Sequence, residues 1–272
     1  MNTPALTQYL VIPDSQGRID LAVPAGESAT AIVVAPFGDS DAVLPVSIVL
    51  ARNASLKLYV IEDDVPSAGT GIVARLDADS RFDLFVGSID AQSARTAVKV
   101  HLDGPGAEAE LSGMAILSGT QRVDTQTLVL HHVPHCTSRQ TFKFLVSDTA
   151  RGSFNGLIKV EPGAHHTEAY QTNRNMLASQ GARMETQPQL EIYCDDVKCS
   201  HGAATGQLDE QALFYMRSRG IGLEEARSML MNAFMADVIE KIQLEPLREE
   251  LKRIVAKRLL GNDSLSDNQL NP

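Results

Sequence analysis

Over the first two thirds of the chain, apolar residues recur at every second position in short runs. Val46-Ser47-Ile48-Val49-Leu50, Leu56-Lys57-Leu58-Tyr59-Val60 and Ala97-Val98-Lys99-Val100-His101-Leu102 have the alternation and β-branched content of strands. Turn residues separate such runs at Gly38-Asp39-Ser40-Asp41, Asp77-Ala78-Asp79 and Asp103-Gly104-Pro105-Gly106. No ten-residue helical pattern interrupts the stretch from about Tyr9 to Tyr193, which argues against βαβ units. A weak repeat runs through it. A turn ending in a small residue precedes an alternating run near Ala54, Ala78, Ala107, Cys136, Ala164 and Ala182, in steps of about 18 to 29 residues. A coil that short cannot bury its own apolar face, so the spacing predicts a β-solenoid with rungs about 4.8 Å apart. The unevenness of the steps leaves a β-sandwich of regularly spaced hairpins as the alternative.

The pattern then changes to helix. Asp209 is a predicted N-cap, with a helix from Glu210 to Arg219 stopped by Gly220. A second helix is predicted from about Leu223 to Ile242 on a stripe of Ala226, Leu230, Ala233, Phe234, Val238 and Ile242. A third opens at Pro246, carries Leu247, Leu251, Ile254, Val255 and Leu259, and stops at Gly261. Met229, Met231 and Met235 exceed one stripe and read either as gap-filling core or as an adaptable partner surface. The expected division is a β core over 1–205, a helical domain over 206–262 and a polar, disordered tail over 263–272.

Composition narrows the function classes. A formal net charge of -10 argues against nucleic acid as the main partner. No run of about 18 apolar residues predicts a membrane span, and no basic and apolar leader is visible at Met1-Asn2-Thr3-Pro4. Three cysteines, an odd count, suit a reducing cytoplasm better than a disulfide framework. Without Trp, and with aromatics at 5 %, the chain is poorly equipped to stack on bases or sugars.

The densest reactive chemistry falls at the strand-to-helix junction, Tyr193-Cys194-Asp195-Asp196-Val197-Lys198-Cys199-Ser200-His201-Gly202. In an extended chain Val197, Cys199 and His201 share a face. A thiol and an imidazole are ligands for a metal or cluster, but two do not close a site. Strand neighbours two apart also sit too far apart for a catalytic Cys–His dyad. Elsewhere, His131-His132-Val133-Pro134-His135-Cys136 has ligand-type residues, but no helix supports an i, i+4 pair and Pro134 breaks the strand. His165-His166 reads as an exposed turn, and Asn155-Gly156 as a hairpin or bulge signal. Ser153 lacks the nucleophile-elbow context, and no P-loop or G-x-G-x-x-G occurs. The polar run Tyr170-Gln171-Thr172-Asn173-Arg174-Asn175 suits a hydrogen-bonded ladder or a turn.

Several blocks occur in an order that resembles a known family. They are Arg151-Gly152-Ser153-Phe154-Asn155-Gly156, Ala169 to Asn175, Pro188-Gln189-Leu190-Glu191-Ile192-Tyr193, Asp195 to Ala203, Gly206-Gln207-Leu208-Asp209, and Phe214-Tyr215-Met216-Arg217-Ser218-Arg219-Gly220. Over the stretch from Arg151 to Gly220 they are similar to the SufB/SufD family of iron–sulfur cluster assembly proteins. The resemblance implies a right-handed parallel β-helix followed by a small C-terminal α-helical domain. It implies a non-enzymatic scaffold subunit of a SufB–SufC–SufD complex, paired with a SufB-like paralogue and bound to the ATPase SufC through the C-terminal helices. Candidate SufC contacts are Phe214, Met229, Leu230, Phe234 and Met235. It also implies a transient iron–sulfur cluster or iron at the interface with the paralogue, near Cys199 and His201. No residue is assigned to a flavin, and a homodimer stays open.

Two departures from the family pattern stand out. Relatives often carry an N-terminal helical region, whereas this chain starts close to the β-helix. SufB members carry a cysteine roughly where Gly181-Ala182-Arg183 stands here, which puts the chain on the SufD side of the family. The competing readings are a β-helix carbohydrate-active enzyme using two of Glu161, Glu168 and Glu191, and a purely structural homo-oligomer.

Overall fold

A computed structural model describes residues 4–35, 43–63 and 65–260. The turn expected at Gly38–Asp41, the stop at Gly261 and the tail fall outside the described residues. A short 3-10 helix, Pro4–Tyr9, precedes the strands. These are β1 (Ile19–Val23), β2 (Ser28–Ala35), β3 (Leu44–Leu50), β4 (Ser55–Glu62), β5 (Ala68–Leu76), β6 (Arg81–Ser88) and β7 (Ser93–Leu102). They continue as β8 (Glu108–Leu117), β9 (Arg122–His131), β10 (Thr137–Val146), β11 (Arg151–Val160), β12 (Thr167–Leu177), β13 (Arg183–Ile192) and β14 (Val197–Gln207). Odd-numbered strands form one sheet in the order β1-β3-β5-β7-β9-β11-β13, and even-numbered strands form the other, from β2 to β14. Pairing joins strands two apart and is parallel from β1 to β13. This is a β-solenoid of about six turns, and the parallel pairing excludes a sandwich of antiparallel hairpins.

Strict alternation decides which side faces in. In β3, Leu44, Val46, Ile48 and Leu50 are buried while Pro45, Ser47 and Val49 are exposed. In β7, Ala94, Thr96, Val98, Val100 and Leu102 are buried while Ser93, Arg95 and Lys99 are exposed. Stacking such rungs gives one continuous apolar interior running from Ile19 to Phe154 and Ala182. Rungs lengthen along the chain: β4 and β6 pair Ser55 with Arg81, 26 residues on, whereas β11 and β13 pair Arg151 with Arg183, 32 on.

The repeat lies in backbone conformation more than in residue identity. Gly26, Asn53, Asp79, Gly106, His135 and His166 occupy the same corner of successive turns, all with positive φ. Gly, Asn, Asp and His are the residues that tolerate this left-handed region best. Each turn is tied to the next: Asn53 N–H donates to Ala78 O at 3.0 Å, Asp79 N–H to Pro105 O at 3.0 Å, and His135 N–H to His165 O at 2.9 Å. A small or compact buried residue follows five of the six, namely Ala54, Ser80, Ala107, Cys136 and Thr167, whereas Gly26 is followed by the exposed Glu27. Of the positions read as a repeat, Ala54, Ala107 and Cys136 are therefore in register, Ala78 and Ala164 precede it by two and three residues, and Ala182 belongs to the opposite corner. Asn155-Gly156 is neither hairpin nor bulge. Both residues lie in regular register within β11. A Cβ at 156 would sit 2.0 Å from Gln171 Nε2 and 2.9 Å from Phe154 Cζ, so glycine there lets the buried Gln171 amide lie against the strand.

The chain divides into two compact units, Thr7–Gly206 and a second built on the helices from Gln207 onward. The helices are α1 (Glu210–Ser218), α2 (Leu223–Ile239) and α3 (Glu245–Leu259). Asp209 caps α1, its carboxylate accepting from Gln211 N–H at 2.9 Å and Ala212 N–H at 3.0 Å, and Gly220 follows with φ of +90°. Helix α2 ends at Ile239, three residues earlier than its apolar stripe suggested. Its buried side is also rotated: Ala226, Met235, Val238 and Ile239 are buried, while Ala233 is exposed. Among the described residues no helix is long and apolar enough to cross a membrane.

Candidate functional site

The two last strands, β13 and β14, close the two sheet orders, and among the described residues no strand lies beyond either. Each therefore offers an edge of unpaired backbone groups. Lys198 Nζ lies 3.0 Å from Glu168 Oε1, and Asn175 Nδ2 donates to Thr205 Oγ1 at 3.1 Å. Both contacts join β12 to β14 at an offset of 30 residues. The same offset places Cys199 over Ala169 and His201 over Gln171, two side chains buried inside the solenoid. Cys199 and His201 thus continue the inner face into a last rung with no strand beyond it among the described residues, where Cys199 is half-buried and His201 exposed. They share a face, as alternate strand positions must, with Cα atoms about 6–7 Å apart.

Beneath them the interior is polar. Gln171, Asn173 and Asn175 are 1 %, 0 % and 4 % exposed, so the polar run of β12 is an inward ladder and not a turn. Asn175 Nδ2 donates to Asn173 Oδ1 at 2.7 Å, and Thr186 Oγ1 donates to the same oxygen at 2.8 Å. One rung further in, Thr127 Oγ1 donates to Gln140 Oε1 at 2.7 Å, and His131 Nε2 lies 2.8 Å from Ser138 Oγ. Burial above all, with His132 adding to it, pushes the His131 pKa down to about 3, so this imidazole is neutral at physiological pH. Both side-chain polar atoms of Gln171, Nε2 of Gln140, Oδ1 of Asn175 and Nδ1 of His131 have no protein partner. An unpaired buried polar atom costs about 1–3 kcal/mol. This wall is built for polar company, water or otherwise.

The three cysteines differ in kind. Cys136 is fully buried, and burial pushes its thiol up to about 11, which makes it inert packing. Burial also raises the Cys199 thiol, opposed by a backbone hydrogen bond from Ala169. Cys194, in the turn between β13 and β14, has its Sγ 3.2 Å from His165 Nδ1. The thiol–imidazole contact in this region is therefore Cys194–His165. Neither residue was singled out in the sequence as half of such a pair. Twenty-nine residues separate them, and the signal that joins them is the one-rung offset between matching turns. His166 Nδ1 lies 3.1 Å from Asp196 Oδ2, and its ring stacks on His135 with centroids 4.8 Å apart. The run His131 to Cys136 does not form one site: His131 and Cys136 point inward, His135 sits in the left-handed turn, and His132 turns outward.

Of the helical candidates, Phe214 is 75 % and Met229 48 % exposed, and Leu230 and Phe234 are half-buried. Met235 is 0 % exposed. It is core, filling the place that Ala233 was expected to take, and belongs to no exposed face. Glu161 is ion-paired with Lys159 at 2.8 Å and Glu168 with Lys198 at 3.0 Å. Both carboxylates are thus engaged by lysines.

Known proteins point the same way. The family described as SUF system FeS cluster assembly, SufBD core domain, matches residues 15–234. The iron–sulfur cluster assembly protein SufD of Escherichia coli is 40 % identical over 167 residues, 61 % of this chain and 40 % of that protein. Protein ABCI7, chloroplastic, of Arabidopsis thaliana is 34 % identical over 211 residues, 76 % of this chain and 44 % of its own length. Bacillus subtilis SufD is 27 % identical over 232 residues, 83 % of this chain and 53 % of that protein. The chain thus spans about half the length, or somewhat less, of the curated relatives it matches. With a family match over most of its residues and SufD proteins among its relatives, the chain belongs to the SufB/SufD family of iron–sulfur cluster assembly proteins.

Proposed function

We propose that this chain is a SufD-like scaffold subunit, not an enzyme, that pairs through its open solenoid end with a SufB-like paralogue and holds a nascent iron–sulfur cluster there as cargo. The observation that carries this reading is the last rung, where Cys199 and His201 continue the inner face above a polar interior. A second solenoid end supplies what the rung lacks, namely strands for both edges and further ligands for the cargo. His201 offers an imidazole nitrogen to iron and Cys199 a thiolate once its proton is lost. Neither closes a site alone, so the cargo is shared between subunits. The helical unit, 206–262, docks the ATPase SufC, with the exposed Phe214 and Met229 and the half-buried Leu230 and Phe234 as contacts. Nucleotide hydrolysis belongs to SufC, because this chain has no phosphate-cradling motif.

The test is co-expression with the SufB and SufC of the same source, followed by iron and sulfide analysis of the purified complex. His201→Ala should leave the complex intact on size exclusion and lower its iron and sulfide by roughly tenfold. Cys199→Ser should have a smaller effect. Full cluster content in an intact His201→Ala complex would remove the ligand role, and loss of the complex would make His201 a packing residue.

A further inference from the structure

Away from the open end, the outer corner following β7 and β9 gathers His101, Asp103 and His132. Their ligand atoms all lie within 4.8 Å of one another, and among the described residues this is the place where three such groups meet. His101 Nδ1 is 3.0 Å from His132 Nε2, and His132 Nε2 is 3.8 Å from Asp103 Oδ1. Two nitrogens bound to one divalent ion at about 2.1 Å each stand roughly 3.0–3.4 Å apart, so the present spacing needs little change to admit an ion. The backbone fixes this convergence. His132 N–H donates to Leu102 O at 3.2 Å, which stacks residue 132 on residue 103, and His101 lies two residues before Asp103 on the outward face of β7. Arg75, one rung earlier and in register with His101, binds Asp103 Oδ2 through Nη1 at 2.6 Å. That contact occupies one carboxylate oxygen, turns the other toward His132, and orients a ligand from behind.

We propose that His101, Asp103 and His132 form a surface site for a borderline divalent transition metal such as Zn²⁺ or Fe²⁺, with its remaining coordination positions open to solvent. Two imidazoles and one carboxylate on one side of an ion leave room for water or a small anion, and contain no thiolate that would select a soft metal. The site lies on the outer surface, apart from Cys199 and His201 on the inner face of β14, and takes its ion directly from solution. The competing state is a plain N–H···N bond between the two imidazoles.

Calorimetric titration of the full metal-free chain with Zn²⁺ tests it, with Co²⁺ absorption as a second readout. One saturable site is expected, weakened at least about tenfold in His101→Gln and in His132→Gln. Asp103→Asn, which keeps the side-chain volume, should weaken it as well. Cys194→Ser should bind as the parent does. The Co²⁺ complex should show weak visible bands without a thiolate charge-transfer band. Matching metal-free circular dichroism and melting midpoints establish that the histidine variants are folded. The proposal is overturned by absence of saturable Zn²⁺ uptake, by uptake that survives His101→Gln and His132→Gln, or by uptake that disappears in Cys194→Ser.

Discussion

The interior of the solenoid changes character along its axis. Between β3 and β8 the inward positions, among them Leu44, Val46, Ile48, Leu50, Leu56, Leu58, Ile72, Phe82, Leu84 and Leu111, form a mostly apolar column, with Glu62, Thr70, Ser88 and Thr96 as the polar exceptions. Between β10 and β14 they include Ser138, Gln140, Gln171, Asn173 and Asn175, and the column gives way to amides and hydroxyls. Phe142 and Phe154, with ring centroids 5.0 Å apart, stand at the transition. Burying apolar area contributes about 25 cal/mol per Å², whereas an unpaired buried amide is a net cost. The first region therefore supplies the folding free energy of the β unit, and the second spends some of it to hold polar side chains under the open rung. The same backbone repeat serves both, because a parallel ladder constrains main chain and leaves inward side chains to vary.

The comparison breaks first at the boundary. Phe142→Ala should cost about 3–5 kcal/mol in urea unfolding, since Phe142 is 2 % exposed and packs against both Phe154 and the bare backbone of Gly113. A loss below about 1 kcal/mol would mean that the polar rungs hold themselves together without it. A smaller effect, about 1–3 kcal/mol, is expected for Gly156→Ala, because the new methyl meets the Gln171 amide. Adding Gln171→Ala should recover much of that loss, and additive losses in the double variant would show that the glycine serves something other than the polar ladder. The smallest effect sharpens the contrast from the other side. Glu62 is a fully buried carboxyl among apolar rungs, receiving hydrogen bonds from Ser88 and from Thr96 Oγ1 at 3.0 Å. Desolvation raises its pKa above the ordinary carboxylate value, against the pull of those hydroxyls. The folded chain then holds this proton to higher pH than the unfolded chain does. Its stabilising contribution is complete below the ordinary carboxylate range and is lost as pH rises through the raised value. Glu62→Gln should flatten this part of the stability–pH profile, and an unchanged slope would exclude Glu62 as its source.

Strand identity was readable from alternation, and the helices from their caps: Asp209 and Gly220 stand at the two ends of α1 as their chemistry requires. The solenoid's true period was harder to read. Its fixed point is a left-handed residue, and Gly26, Asn53, Asp79, Gly106, His135 and His166 fill it with four residue types. Met235 was misplaced because the stripe of α2 was drawn through Ala233, whereas packing selected the neighbouring face. The Cys194–His165 contact and the His101–Asp103–His132 corner were hidden for a related reason. Residues about one rung apart meet only when the turns stack, and rung length drifts from 26 to 32 residues along the chain. By contrast, Cys199 and His201 were placed on one face from their spacing alone.

The two ends of the solenoid also differ in what they allow to grow. At the first end, Leu10 pairs with Ile32 and Val11 N–H donates to Ile32 O at 2.9 Å, so the edge of β2 is engaged at its centre. At the other end no strand lies beyond β13 or β14 among the described residues. Head-to-tail stacking, which would extend into a filament without limit, needs two receptive ends and meets a β2 edge already engaged at Ile32. Tail-to-tail joining would use up both last edges at once. A joint of that kind would end at a pair, so that an edge that would otherwise invite fibres would act as a self-limiting connector.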